Sequence, residues 1–263
     1  PYTNFHEFSL SPLRTTKFNL FFANTGRDSI IELMDSVDSY VPDPNRQLDG
    51  PFFLPIEHTH SIPGRGTVVT GRVTRGKLKV GQEMEIIGYG KSFKAKVNGI
   101  EMFHKTLEQA EAGDQMGILT KGIKREDARR GMAIIKPGTM EQHDVFDATI
   151  YILTKEEGGL GQPVLNDKLL STFSRTWDCS SYVFLNGKEM VMPGESATVT
   201  CKMIKPMVMD KNQQITLRAG NSTVGTGKIT EIKPVMTPEE KEWLMMGKKK
   251  RDKIIEKKKA EAS

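Results

Sequence analysis

The sequence predicts a mainly-β protein, and three observations carry that reading. From residue 51 to residue 231 short β-branched runs follow one another, separated at close spacing by Gly, Pro, Asn and Asp. Within that region Ala197, Val199, Cys201 and Met203 alternate with Thr198, Thr200 and Lys202, the period of two that a half-buried strand requires. Helical periodicity occurs only towards the two ends, over residues 28–40 and after Thr237. Many short strands with regular turn signals and little helix describe a sandwich or barrel. About 180 residues is generous for one small barrel, and Lys136-Pro137-Gly138-Thr139 marks a seam between two.

Taken in order, residues 1–25 carry scattered aromatics (Tyr2, Phe5, Phe8, Phe18, Phe21, Phe22) with no period. They lack the basic start and long apolar core of a secretion signal and are unlike an organellar presequence. They are left unassigned and expected to be disordered. Residues 28–40 read as a helix capped by Asp28 or Ser29, with Ile30, Met34 and Val37 on one face. Val41-Pro42-Asp43-Pro44 ends it, because proline cannot continue the helical ladder. A linker rich in Pro and Gly follows. The strand region shows its clearest runs at Thr67-Val68-Val69-Thr70, Met84-Glu85-Ile86-Ile87, residues 146–153 and Ile215-Thr216-Leu217. Thr237-Pro238-Glu239-Glu240 opens a last helix: Thr caps, Pro takes the first helical position and Glu240 closes a capping box. Gly247 weakens that helix before a basic run.

The chain has 263 residues and a net charge of +5. Residues 247–263 hold eight Lys or Arg against three acids, so the tail alone accounts for the whole excess and the body is neutral. Such a run suits phosphate backbones, or a solvated terminus. No apolar stretch approaches the ~20 residues of a membrane helix, which predicts a soluble protein. Cys179 and Cys201 form no CxxC pattern, arguing against a zinc module or disulfide scaffold and for a reducing compartment. The chain begins with Pro, so it is expected to be processed or incomplete at its start.

Several short patterns imitate catalytic motifs. Gly88-Tyr89-Gly90-Lys91-Ser92 ends like a phosphate-binding loop, but Glu85 stands where the first Gly is required and the text after Ser92 is strand-like, which predicts a β-hairpin turn. Asp114-Gln115-Met116-Gly117 has the DxxG shape, without any Asn-Lys-x-Asp motif beside it. His58 and His60 can share a strand face but have no third ligand near in sequence, so no metal is expected. Cys179 and Cys201 read as small buried residues and Trp177 as core. No catalytic set emerges. What remains is three unusual loops: Ser61-Ile62-Pro63-Gly64-Arg65-Gly66-Thr67, whose glycines permit tight geometry or close approach by another molecule; the acidic, aromatic and basic segment Gly99-Ile100-Glu101-Met102-Phe103-His104-Lys105; and a basic loop over residues 121–131. Together they suit a ligand with a π-face and phosphates.

These loops also carry a resemblance. Gly64-Arg65-Gly66-Thr67-Val68-Val69-Thr70-Gly71-Arg72-Val73, Arg75-Gly76, Val80-Gly81, Gly99-Ile100-Glu101-Met102-Phe103, Ala112-Gly113-Asp114 and Gly122-Ile123-Lys124-Arg125-Glu126 resemble the second domain of elongation factor Tu. Lys136-Pro137-Gly138, Tyr151-Ile152-Leu153 with Glu157-Gly158-Gly159, and Glu189-Met190-Val191-Met192-Pro193-Gly194 resemble its third. Gly26-Arg27-Asp28-Ser29-Ile30 through Val41-Pro42 is similar to the last helix of that family's GTP-binding domain. The resemblance implies two consecutive six-stranded-type closed β-barrels, at residues 51–140 and 141–234, between a helix remnant with its linker at 26–50 and a basic helical extension at 235–263.

The family consists of translational GTPases that carry aminoacyl-tRNA to the ribosome. The P-loop, the switch regions and Asn-Lys-x-Asp belong upstream of Gly26, and residues 1–25 do not resemble them. The expectation is a truncated product or incomplete gene model that hydrolyses no GTP alone and holds no cofactor, GTP and Mg belonging to the intact family member. The resemblance implies a pocket for the terminal adenosine at Ile62, Val68, Leu119 and Glu101, with Phe103, His104 and Gln115 around the aminoacyl ester. His104 stands where Arg is common and Gln115 where Asn is common. Arg130 would meet the tRNA 5′ end, and Ser180, Lys205 and Gly220 the T-stem. Leu160-Gly161 replace a usual Arg-His pair. The extension after Ile232 is similar to metazoan mitochondrial versions, which implies the mitochondrial matrix. Its basic residues Lys248, Lys249, Lys250, Arg251, Lys257, Lys258 and Lys259 are expected to bind tRNA in compensation. The implied partners are aminoacyl-tRNA, the ribosome and a Ts-type exchange factor, with no membrane and no DNA. The rival readings are a non-enzymatic module that binds the exchange factor and an inert product.

Overall fold

A computed structural model describes residues 26–103, 105–247 and 250–251. The chain divides after Asn45 into two units. In the first, helix α1 (Arg27–Tyr40) starts behind Gly26, which makes no side-chain cap. Asp28 therefore lies in the first turn rather than at the cap, where its charge complements the helix dipole. The Val41 amide closes the end onto the Val37 carbonyl, and Pro42 prevents continuation. Ile30, Met34 and Val37 lie exposed along α1.

The second unit contains two β bodies. The first contributes β1 (Phe53–Pro55), β2 (His58–Ile62), β3 (Gly66–Arg72), β4 (Lys77–Lys79), β5 (Glu83–Gly88), β6 (Lys91–Met102), β7 (Lys105–Leu107), β8 (Gln109–Glu111), β9 (Gln115–Lys121) and β10 (Ala133–Ile135). Its antiparallel sheet runs β1-β10-β5-β6-β9-β3-β2, with β7 on β6 and a separate β4-β8 pair. The sheet curls until its first strand meets the chain leaving β3. Phe53 bridges Arg75 there, and a side chain at Gly71 would strike the Pro55 carbonyl. The interior holds Leu54, Ile56, Val69, Met84, Ile86 and Ile118, all inaccessible to solvent.

The second body contributes β11 (Gln142–Ile152), β12 (Val164–Leu165), β13 (Lys168–Ser174), β14 (Trp177–Leu185), β15 (Met190–Val191), β16 (Ser196–Val208), β17 (Gln214–Ala219) and β18 (Ser222–Ile232). Six of them close a barrel in the order β11-β16-β14-β13-β17-β18. The alternation read from residues 197–203 is realised: Ala197, Val199, Cys201 and Met203 point inward and Thr198, Thr200 and Lys202 outward. Each large apolar side chain so buried contributes roughly 1.5–3 kcal/mol. Trp177 is core, its indole N–H donating to the Val208 carbonyl at 3.1 Å.

The barrels meet through an apolar cluster of Phe53, Ile87, Ala133 and Ile135 with Val208. Beside it Asp210 accepts from Arg175 at 2.8 Å and from Arg75 at 3.2 Å. Both guanidinium groups lie over the Phe53 ring, at 4.6 and 5.1 Å from its centre. One carboxylate thus ties a cation from each barrel across an aromatic ring.

Helix α2 (Pro238–Met245) has the expected capping box. The Glu240 amide donates to the Thr237 hydroxyl, and the Thr237 amide to the Glu240 carboxylate. Leu244 packs with Val145 and Met236 on the second barrel. Buried Asp144 accepts from the Met236 amide and pairs with Lys241, both at 2.9 Å. None of the described helices is long and apolar enough to cross a membrane.

Candidate nucleic-acid interface

Strand register gathers three of the expected pocket residues on the outer face of the first barrel. Val68 stands opposite Leu119, Leu119 opposite Gly99, and Glu101 opposite Gly117. The inward neighbours Val69 and Ile118 are fully buried, so alternation turns Val68 and Leu119 out, where they are half-buried. Gly99 and Gly117 raise no side chain between them. A Cβ on Gly117 would lie 3.2 Å from Val68. The result is a shallow apolar floor with the Glu101 carboxylate at its edge. Ile62 ends β2 and is partly exposed.

The β6-β7 hairpin supplies the aromatic. Phe103 sits at its tip with φ +49°, 80% exposed. A bulky residue in left-handed backbone is uncommon, and here it coincides with an aromatic ring held in water. His104 lies outside the described residues. The Gln115 amide donates to the Glu57 carboxylate at 2.7 Å, a partner that sequence spacing did not indicate.

The glycines before β3 have an internal cause. Gly66 approaches β9 so closely that a Cβ would meet the Thr120 carbonyl at 2.4 Å, while Gly64 faces open space. Thr67 then donates to the Ile123 carbonyl at 2.6 Å, and Thr120 to the Thr67 carbonyl. These buried bonds anchor the basic loop. Fully buried Ala128 and the bond from the Gly131 amide to Ile56 hold its far side. Arg129 and Arg130 are left on the surface at the junction of the barrels, where Arg130 Nε donates to the Thr176 carbonyl of the second barrel.

On the second barrel Lys205 is exposed on β16, and Ser180 is half-buried on neighbouring β14. Gly220 sits at the β17-β18 turn with φ +59°. Two strands, β14 and β13, separate β16 from β17, so Gly220 is not brought beside Lys205. Of the basic tail, Lys250 is exposed, and Lys248, Lys249, Lys257, Lys258 and Lys259 lie outside the described residues. Arg251 departs from the expected role. It is 1% exposed, pairs with Asp167 at 2.7 Å and lies over Tyr182 and Trp243 at 4.6 and 5.0 Å. An Arg whose charge is matched and whose plane is covered anchors the extension to the barrel and presents nothing to a ligand.

Other chemistry is not assembled. Burial pushes the Cys201 thiol up to about 12, with Asp147 adding to it, and burial also raises Cys179. Neither forms a thiolate near neutral pH. The His58 and His60 rings lie 6.3 Å apart, and among the described residues no three His, Cys, Asp or Glu are placed to hold a metal. Gly88-Tyr89-Gly90-Lys91-Ser92 is the β5-β6 hairpin, not a loop between strand and helix, so it does not fit a nucleotide phosphate. A cleft of about 950 Å³ lined by Leu48, Phe52, Lys77 and Lys136 contains none of the expected site residues.

Against known families, residues 66–135 match the model for elongation factor Tu domain 2. Residues 139–233 match the elongation factor Tu C-terminal domain. The two matches are consecutive and fall on the two β bodies.

Proposed function

We propose that this chain, which carries domain 2 and the C-terminal domain of the elongation factor Tu family, grips the acceptor end of aminoacyl-tRNA. The observation that carries the reading is the outer face of β3, β9 and β6. There an apolar floor of Val68 and Leu119 adjoins the Glu101 carboxylate and the projecting Phe103 ring. A base has two apolar faces and a ribose has hydroxyl donors. An apolar floor accepts the first and a carboxylate the second. Arg130 and Lys205, one from each barrel, supply charge for the phosphate backbone.

In this reading His104 and Gln115 attend the ester and Ser180 and Gly220 the T-stem, and the ribosome is the destination. The GTP and Mg of the intact family member have no fitting residues among those described, so no step of hydrolysis is assigned to this chain. The mitochondrial type, and hence the matrix, rests on the similarity of the Thr237-Pro238-Glu239-Glu240-Lys241 extension to metazoan mitochondrial versions. Lys250 and the other lysines of the tail add to the grip on RNA.

The test is binding of one tRNA in aminoacylated and deacylated form, followed by fluorescence anisotropy. The aminoacylated form is expected to bind at least tenfold more tightly, about 1.4 kcal/mol, and Glu101→Ala to erase most of that preference. Equal binding of both forms would overturn the reading. Binding of a Ts-type exchange factor without RNA binding would favour the protein-interaction alternative.

A further inference from the structure

The hairpin that imitates a phosphate loop has another position in the fold. Gly88 and Gly90 flank Tyr89, and all three have positive φ, which carries the Tyr89 ring to the joint between the barrels. There it packs against the apolar cores of both. The hairpin is held in place from the second barrel: Gln142 accepts from the Gly90 amide at 2.8 Å and donates to the Lys91 carbonyl at 3.0 Å. Gly131 is bare because a Cβ would meet the Tyr89 hydroxyl at 2.5 Å and Trp177 at 2.9 Å.

Two cations lie over this one ring, and a third residue's backbone is bonded to its hydroxyl. The Arg129 guanidinium lies 3.5 Å from its centre. The Lys205 ammonium, from the other barrel, lies 5.9 Å away. The Tyr89 hydroxyl donates to the Arg130 carbonyl at 3.3 Å, fixing the backbone that carries the third. Asp178 is the acidic group acting on the ring from the second barrel, where it opposes Arg129. All three basic side chains are exposed at their residues while the ring is half-buried. Three like charges around one ring repel one another. A π-face that takes two of them and a hydroxyl that fixes the backbone of the third lower the cost of keeping them near one another.

We propose that Tyr89 is the positioning residue that sets Arg129, Arg130 and Lys205 as a single seat, shared by both barrels, for the phosphates of the bound RNA. The proposal rests on the RNA-gripping reading above and adds two residues to it, Tyr89 and Arg129. It makes the charge of the joint a property of the ring: without it, Arg129 loses its platform and the two barrels' cations lose their common reference.

The experiment is the salt dependence of aminoacyl-tRNA binding by the full chain. Removing one protein–phosphate pairing lowers the slope of log K against log salt by about one. Tyr89→Ala is expected to lower it by about two, Arg129→Ala by about one, and Tyr89→Phe by less than about half a unit. The double variant Tyr89→Ala/Arg129→Ala should lower it no further than Tyr89→Ala alone, since Arg129 acts through the ring. A melting curve establishes that each variant is folded. Arg129, on the surface, keeps the test decisive should Tyr89→Ala unfold. Wild-type slopes in Tyr89→Ala, or in Arg129→Ala, overturn the proposal while leaving the RNA reading intact. A wild-type chain that binds no aminoacyl-tRNA overturns both.

Discussion

The two barrels place different residues in left-handed backbone. In the second they are Asp167, Arg175 and Asn212. Asp and Asn tolerate that conformation because their short polar side chains bond locally, and Arg175 is held there by its pair with Asp210. In the first barrel they are two aromatics: Tyr89, held by its hydroxyl bond to the Arg130 carbonyl and its packing on both cores, and Phe103, whose ring is exposed. Both occupy hairpin tips on either end of β6, one at the junction with the second barrel and one beside the Glu101 patch. The contrast teaches where strain is kept. The second barrel, closed through all six strands and partly covered by α2, uses its turns to finish the fold. The first uses two of its turns to present rings.

The largest effect expected from this contrast is structural. Phe146 is fully buried in the closed barrel, and Phe146→Ala should cost about 3–5 kcal/mol, read as a lowered midpoint in denaturant. A drop under about 1 kcal/mol would show that the second barrel is not the tightly packed partner. A smaller effect of opposite sign is expected at Phe103. Phe103→Gly relieves the left-handed backbone and should raise stability by about 0.5–1 kcal/mol while weakening aminoacyl-tRNA binding. Asn212→Gly, the matched change in the second barrel, should move stability by only a few tenths of a kcal/mol and leave binding unchanged. If Phe103→Gly preserved binding, the ring would have no part in the grip and the comparison would fail.

The smallest effect concerns the extension. The Thr237 amide, and then Lys202, hold the Glu240 carboxyl below its ordinary 4.5. A carboxyl lowered in the folded state adds stability above its unfolded value and loses it as pH falls through the folded one. Docking of α2, followed by Trp243 fluorescence in a Trp177→Phe background, should therefore be constant above about pH 5 and weaken slightly below about 4.5. Glu240→Gln should flatten that acid limb.

Much of this protein was legible in its sequence. The alternation over residues 197–203 sets one face of a strand, because successive side chains must point to opposite sides. Thr237-Pro238-Glu239-Glu240 sets a helix start, because a capping box is satisfied within four residues. The hairpin at residues 88–92 and the β character of 51–231 are local in the same sense. The outer patch was reached through motifs, and register explains it: Val68, Leu119, Glu101 and Gly117 meet only because β3, β9 and β6 pair as they do. The tertiary structure alone decided which charges face outward. Arg251 reads as one more cation in a basic run, and burial under Tyr182 and Trp243 with Asp167 beside it makes it an anchor. Tyr89 reads as a turn residue, and the second barrel makes it the point where a cation from each barrel lies over one ring beside the Arg130 backbone. Periodicity and caps are written within a few residues of chain. The balance of charge at a joint is set by groups far apart in sequence, whose encounter depends on the whole fold.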